Sequence, residues 1–290
     1  MSGWDDPETP LYYESFCRRH SRYTQANAAL IVHAHIAPAL RVLDLAAGTG
    51  RTAEAALGLL GDHGRIVCVE PSAPMRTEGA RRISDARVAW RATLLDAMGS
   101  DAGGPFDRIR CGAAIWQLEP LDATIRTLSG LLRRGGALCF NIPALYLLEP
   151  DEPGGGDDPL LLDLPAALAT NAGAACTRSR PWPTSAAIRR AKSETSDFDA
   201  APQQGGPPLG RDAIGSWLRA AGLRARVWTF RLRLTQEAYA AWLKIPVVAG
   251  RLLADLAPGD RARRIDAALG SVDRASWKWE RWRGWTAWKR

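Results

Sequence analysis

Long apolar runs are missing from this chain. Nowhere do about eighteen consecutive residues stay apolar, so no membrane span is expected. Paired cysteines are missing too. Cys17, Cys68, Cys111, Cys139 and Cys176 are scattered and odd in number, with no C-x-x-C pair and no Cys/His ligand spacing. That argues against a disulfide scaffold and against a zinc ribbon. Cys68 and Cys139 fall in short apolar segments that read as buried strands, where reduced, packed thiols are at home. The four histidines, His20, His33, His35 and His63, make no zinc motif, and no metal is expected. The first residues, Met-Ser-Gly-Trp-Asp-Asp-Pro-Glu, are acidic and have no apolar stretch, so no secretory signal is read there and a cytoplasmic protein is expected.

What is present is an ordinary globular composition. The 290 residues are 46% hydrophobic, enough to bury one large domain or one domain with a cap. Net charge is +7 and uneven: Arg274 to Arg290 hold six Lys/Arg against one Glu. The same run interleaves tryptophan with arginine. Such a pattern can stack on bases and bind phosphate, or it can be a final antiparallel strand with its rings on the core and its arginines at the edge. The acidic loop near Glu149–Asp158 and the lack of an added RNA-binding module favour the strand.

The chain is organised around Arg41–Ala53, Arg-Val-Leu-Asp-Leu-Ala-Ala-Gly-Thr-Gly-Arg-Thr-Ala. A short apolar strand, Val42–Leu45, breaks at Gly48-Thr49-Gly50, and a helix follows from Thr52. Glycines at such a turn tolerate left-handed backbone and let a ligand approach the main chain. No Lys-Ser or Lys-Thr follows the glycines, so this is not a P-loop, and Ala53 stands where a dinucleotide fingerprint has its third glycine.

Downstream, strands are expected at Arg65–Glu70, Arg87–Arg91, Asp107–Cys111 and Gly136–Asn141. Helices are expected between them at Pro71–Ile83 and Ala123–Leu132, the latter with Asp122 as its N-cap. Strands every 20–25 residues, mostly separated by helices, mean right-handed βαβ units and a parallel sheet. Ahead of the sheet, residues 5–37 carry apolar positions at helical spacing in two pieces. Residues 147–210 are rich in Pro, Gly, Asp and Ala and read as an insertion, with short helices at Leu160–Ala169 and Thr184–Ser193. A helix at Arg211–Ala221, a strand at Arg224–Leu234, two or three helices over Thr235–Leu269 and a strand from Trp277 to Trp288 complete the chain.

Asp44-Leu45-Ala46-Ala47-Gly48-Thr49-Gly50 resembles the first motif of class I S-adenosylmethionine (SAM)-dependent methyltransferases, with alanine for the first glycine. Three more landmarks follow in the family's order. Glu70 ends strand two, about twenty residues past the glycines. Phe106–Leu118 is similar to the segment after which many members carry two histidines. Leu131–Gly136 is similar to the family's Gly-Gly turn before strand five. The likeness is strong over 40–145 and topological only over 211–290, and it points to the ubiquinone/menaquinone-type and natural-product branches.

The resemblance implies an α/β, Rossmann-like, seven-stranded, mostly parallel sheet with helices on both faces. It implies four regions: an N-terminal helical lid (1–37), a SAM-binding core (38–146), an insertion or cap (147–210) and a C-terminal part of the core with a helical insertion (211–290). For the cofactor it implies Asp44, Ala46, Ala47, Gly48, Gly50, Glu70, Pro71, Met75, Thr93, Leu94, Cys111, Gly112 and Ala113, with Glu70 on the ribose diol. Asp96 is an alternative to Thr93 and Leu94 at the adenine. Tyr12, Phe16, Trp116, Gln117 and Tyr146 are candidates for the acceptor pocket. His20, Tyr13 and Tyr23 are candidate bases.

The implied reaction is methyl transfer from SAM to a small-molecule acceptor of specialised metabolism, anionic or carrier-tethered, releasing S-adenosylhomocysteine (SAH). Two rivals stand beside it: an RNA or protein methyltransferase using the basic Trp-rich end, and a SAM-fold protein that transfers nothing.

Overall fold

The computed structural model describes residues 3–38, 40–93, 104–118, 120–144, 147, 211–253, 256–269 and 277–290. Its strands are β1 (Arg41–Leu45), β2 (Arg65–Val69), β3 (Val88–Arg91), β4 (Phe106–Gly112), β5 (Leu132–Pro143), β6 (Leu223–Thr235) and β7 (Trp277–Lys289). They form one seven-stranded sheet in the order β3-β2-β1-β4-β5-β7-β6. β2 lies parallel to β1 and β3, β4 lies parallel to β1 and β5, and β7 runs antiparallel to β5. The helices are α1 (Thr9–Arg19), α2 (Arg22–Ala34), α3 (Arg51–Leu57), α4 (Ala73–Arg82), α5 (Leu121–Leu131), α6 (Arg211–Ala220), α7 (Gln236–Leu243), α8 (Pro246–Leu252) and α9 (Pro258–Leu269). The doubly wound α/β architecture expected from the motif order is the one observed.

The described chain divides into two compact units. One holds the described residues up to Arg22 and those of Arg231–Glu280; the other holds those of Tyr23–Glu149 and Gln204–Phe230, and Arg281–Arg290. In the second unit the central strands are buried on both faces, which is why they read as near-continuous apolar runs. Leu43, Leu45, Ile109 and Leu138 meet α5 and α6 through Ile125, Leu128, Ile214 and Leu218. On the other face Val42, Ile66 and Cys68 meet Ile31, Ala53 and Ala56 from α2 and α3. In the first unit α7, α8 and α9 close around Ala240, Leu243, Ala249 and Ile265. There Arg22 makes two hydrogen bonds to Glu280, 2.9 and 2.6 Å, and lies over the Trp242 ring at 4.9 Å.

Several boundaries differ from the sequence reading. β5 starts at Leu132 rather than Gly136. Leu132 pairs with Phe106, and the register shift between Phe106 and Arg108 absorbs the Arg-Arg-Gly-Gly stretch as an irregularity inside the strand. α5 starts at Leu121 behind Pro120, so Asp122 is not the cap; it lies in the first turn and accepts from Arg126 at 2.8 Å. α4 starts at Ala73, with the Ser72 hydroxyl accepting from the Met75 N–H.

Gly79, inside α4, illustrates a packing constraint the sequence hides. Glycine to alanine within a helix ordinarily stabilises by roughly 0.5–1 kcal/mol. Here a Cβ would stand 2.2 Å from the Trp90 indole. Gly79→Ala is therefore expected to destabilise by roughly 1–3 kcal/mol, the cost of overpacking, as read by urea unfolding. A stabilised Gly79→Ala protein would show that Trp90 is free to move.

Candidate active site

The strand order reverses between β1 and β4, and at such a switch point the C-terminal strand ends open a crevice. Both strands leave the sheet there through an alanine in the left-handed region: Ala46 at φ 52° after β1, and Ala113 at φ 53° after β4. A Cβ in that region costs roughly 1–2 kcal/mol, so each turn is held by its surroundings.

The first turn runs Ala46 to Gly50. The Ala47 N–H donates to the Val69 carbonyl and the Gly50 N–H to the Ala47 carbonyl, at 3.0 and 2.8 Å. Gly50 sits at φ 80°, and a Cβ on it would meet Ile83 at 2.6 Å and Trp90 at 3.0 Å. Glycine is required at this point by both backbone and space. It also means that α3 starts without a side-chain cap at its own N-cap residue.

Asp44 supplies what Gly50 cannot. Its position in β1 puts it on the face of Val42, toward α3. The carboxylate is buried, accepts from the Ala53 backbone N–H, and stands 3.6 Å from Nη2 of the buried Arg110. Burial pushes the Asp44 carboxyl up from its usual range, and the Arg110 charge pulls it back.

Glu70 follows the end of β2 and is the carboxylate at the rim. Its Oε2 accepts from the Gly48 N–H at 2.8 Å and its Oε1 from the Ser72 N–H at 2.9 Å. Arg76 fixes the same corner by donating to the Glu70 and Pro71 carbonyls. Met75 is buried beside the turn, its Cε 3.4 Å from where a Gly48 Cβ would lie. Thr93 is half-buried after β3. Leu94, Asp96 and Tyr146 lie outside the described residues.

At the end of β4, Cys111 is buried and its thiol is pushed well up by desolvation, so it is a packed thiol and not a nucleophile. Gly112 is glycine because protein approaches it: a Cβ would meet Thr52 Oγ1 at 3.0 Å and Asn27 Oδ1 at 3.2 Å. Ala113 is held by a residue the sequence reading did not single out. Asn141, fully buried in β5, accepts the Ala113 N–H at 2.9 Å and donates to the Ala26 carbonyl of α2 at 2.9 Å. Its only trace in the sequence is a polar residue inside the apolar Leu-Cys-Phe-Asn-Ile run. Asn141→Leu leaves two buried backbone groups unsatisfied and is expected to cost about 2–4 kcal/mol in chemical denaturation. Ala113→Gly, which relieves the backbone, is expected to stay within about 1 kcal/mol of wild type.

Trp116 and Gln117 stand half-buried on a one-turn 3-10 helix, Ile115–Gln117, after β4. Thus the second unit brings together Ala46–Gly50, Glu70–Ser72, Met75, Cys111–Ala113, Trp116 and Gln117; Tyr23, on α2, belongs to the same unit. Tyr12, Tyr13, Phe16 and His20 belong to the first unit. There Tyr12 is 43% exposed, Tyr13 meets Trp4 edge-on, and the buried Phe16 ring lies 5.2 Å from His20. Burial lowers the His20 pKa, against the opposing charge of Glu237. The Trp-rich end is the strand β7, with Trp282 and Trp285 buried in the sheet.

The sheet order, the glycine turn after β1 and the acidic residue after β2 are similar to those of the class I SAM-dependent methyltransferase fold. Residues 42–136 match the family profile described as "Methyltransferase domain". Among curated proteins the chain is similar to the ubiquinone/menaquinone biosynthesis C-methyltransferase UbiE of Coxiella burnetii, 30% identical over 115 residues. It is also similar to that of Shewanella frigidimarina, 28% identical over 118 residues. The matches cover 38% and 39% of this chain and 46% and 47% of those proteins, so the chain spans about half the length of the curated relatives it matches. Among solved structures, the YcgJ protein of Bacillus subtilis superposes with a TM-score of 0.57 at 14% identity, over 92% of this chain and 99% of that one. The mycolic acid cyclopropane synthase CmaA1, solved with SAH and CTAB, superposes with a TM-score of 0.53 at 14% identity, over 92% and 84%. At these identities the likeness is one of fold.

Proposed function

We propose that this chain binds SAM at the crevice beyond β1, β2 and β4 and transfers its methyl group to a small-molecule acceptor, releasing SAH. The observation that carries the reading is Glu70: a carboxylate aligned by two backbone N–H groups at the end of β2, where the family's order of landmarks puts the ribose diol. The residues fit the cofactor in two further respects. Gly48 keeps the main chain bare beside Met75, and the Ala113 turn, pinned by Asn141, borders the same crevice.

SAM, when bound, supplies an already activated methyl on a sulfonium. The chain's part is to hold donor and acceptor in line and keep water out, which can contribute about 7–11 kcal/mol. A base is needed only where the acceptor proton has a high pKa. His20, Tyr13 and Tyr23 are the residues we assign for testing, and the lowered pKa keeps His20 neutral at pH 7. The names of the curated relatives support carbon methylation of a small molecule. We extend this to specialised metabolism in the cytoplasm. No described helix is long and apolar enough to cross a membrane.

Calorimetric titration with SAM and SAH tests the reading. Binding of both is expected, followed by SAH release when an acceptor is supplied. A folded protein that binds neither would overturn the proposal. Turnover lost steeply with added salt would transfer it to the nucleic-acid reading.

A further inference from the structure

We propose that Arg110 is a positioning residue for the cofactor turn, acting through Asp44 on the first turn of α3. The inference rests on the SAM reading only for its consequence in binding; the geometry stands without it.

Gly50 cannot cap α3, because its conformation and its neighbours exclude a side chain. The helix is instead held from below by two groups of the sheet. Asp44, from β1, accepts the Ala53 N–H. Arg110, from β4, donates from Nη1 to the Thr52 carbonyl at 3.1 Å. β1 and β4 are paired with Asp44 opposite Arg110, so the clamp spans the two strands between which the crevice opens. Both side chains are buried, at 1% and 0% exposure.

A guanidinium buried under an apolar helix is costly unless it is paired. Here Arg110 Nε and Nη2 and Asp44 Oδ2 make no hydrogen bond, and the attraction across 3.6 Å is chiefly one of charge. The pair therefore sets where the Asp44 carboxylate stands more than it adds to overall stability. The turn it governs, Ala46–Gly50, also carries the Gly48 N–H that aligns Glu70.

The charge on Asp44 is the point of control. Of the titratable groups that interact with it, the Cys68 thiol on β2 shares its face of the sheet and the Cys111 thiol on β4 lies on the other; both are pushed upward and neutral near pH 7, so Arg110 is the cation that opposes its desolvation. Without that cation burial acts on the carboxyl unopposed, its pKa moves further up, and as it takes up a proton its grip on the Ala53 N–H weakens.

The test uses the full chain in four forms beside the wild type: Arg110→Met, Arg110→Lys, Asp44→Asn, and Asp44→Asn with Arg110→Met. Amide hydrogen exchange over residues 46–56 is read against β5 as an internal reference, from pH 6 to 9. After correction for intrinsic rates, Arg110→Met is expected to speed exchange of the α3 first turn about tenfold at pH 6–7. Protection should return as pH rises and Asp44 ionises. Arg110→Lys should keep protection within about threefold. The double variant, neutral but still able to accept the Ala53 N–H, should recover most of it and lose the pH dependence. Loss spread equally over β5, or an Arg110→Met protein protected like wild type at every pH, would overturn the proposal. So would a double variant as poorly protected as Arg110→Met. Where Arg110→Met does not fold, the lysine and double variants decide by the same criteria. SAH titration of the same proteins adds the consequence, about tenfold weaker for Arg110→Met at pH 7. A wild type that binds no SAH while exchange behaves as stated overturns the SAM reading and leaves the positioning role intact.

Discussion

Glu70→Ala is expected to weaken SAH binding by about 100-fold or more, with little change in far-ultraviolet circular dichroism. Two losses combine. The ribose acceptor is removed, and a hydrogen bond to a charged group is worth roughly 1.5–3 kcal/mol. The Gly48 and Ser72 N–H groups also lose the carboxylate that aligns them. At about 1.4 kcal/mol per factor of ten, either term alone gives about tenfold and both together about a hundredfold. Glu70→Gln separates them. Its single carbonyl oxygen can accept from one of the two amides, not both, and its NH2 group points a donor at the other. We expect it near tenfold. Isothermal titration of both variants measures this. Wild-type affinity in Glu70→Ala would place the ribose elsewhere.

Gly284→Ala is expected to produce a large stability loss. Gly284 pairs with Asn141 across β5 and β7, and the Trp228 indole lies directly over it. A Cβ there would stand 2.2–2.4 Å from three ring atoms. The ring has nowhere to retreat. His33 stacks on it at 4.1 Å and 13°, Phe230 lies at 5.8 Å, and Nε1 donates to Thr286 Oγ1 at 3.1 Å. Overpacking of this kind costs roughly 1–3 kcal/mol, and we expect the upper end. For a chain of 290 residues that lowers the thermal midpoint by roughly 5 °C. Trp228→Leu alone also destabilises, but with Gly284→Ala the two should be less harmful than their sum, because the clash goes with the ring. Strict additivity would mean that Trp228 is not what the new methyl meets.

The distinction between what was and was not legible in the sequence follows from range of interaction. The glycine turn, Glu70 and the strand sequence Val42–Leu45, Arg65–Glu70 and Asp107–Cys111 are local patterns, and they fall where the pattern put them, to within a residue or two. The start of β5 was missed because Leu132 joins the sheet through its partner Phe106, a tertiary contact, while Gly135 and Gly136 read locally as a turn. Asp122 was assigned as a cap on residue type, but the helix starts before it, at Leu121, with Pro120 at the N-cap. In the site, Asp44 was singled out by the motif but its direction was not legible, since which face of β1 meets α3 depends on the packing of Val42 and Ala53. Asn141 and Arg110 gave no motif at all: Asn141 is one polar residue in an apolar run, Arg110 one of three charged residues in β4, and the meaning of each depends on partners 28 and 58 residues away.

The four described cysteines have a practical consequence. Cys17, Cys68, Cys111 and Cys139 are buried thiols outside any disulfide; burial raises the last three, Cys139 to about 12. Almost no thiolate is then present at pH 8, and an alkylating reagent can react only after the surrounding structure opens. Each cysteine is thus a built-in clock. Cys139, between the Leu30 carbonyl and Thr286, times the parting of α2 from β5, and Cys17 times the opening of α1 in the other unit. Labelling followed by mass spectrometry reads both clocks in one sample without any engineered probe.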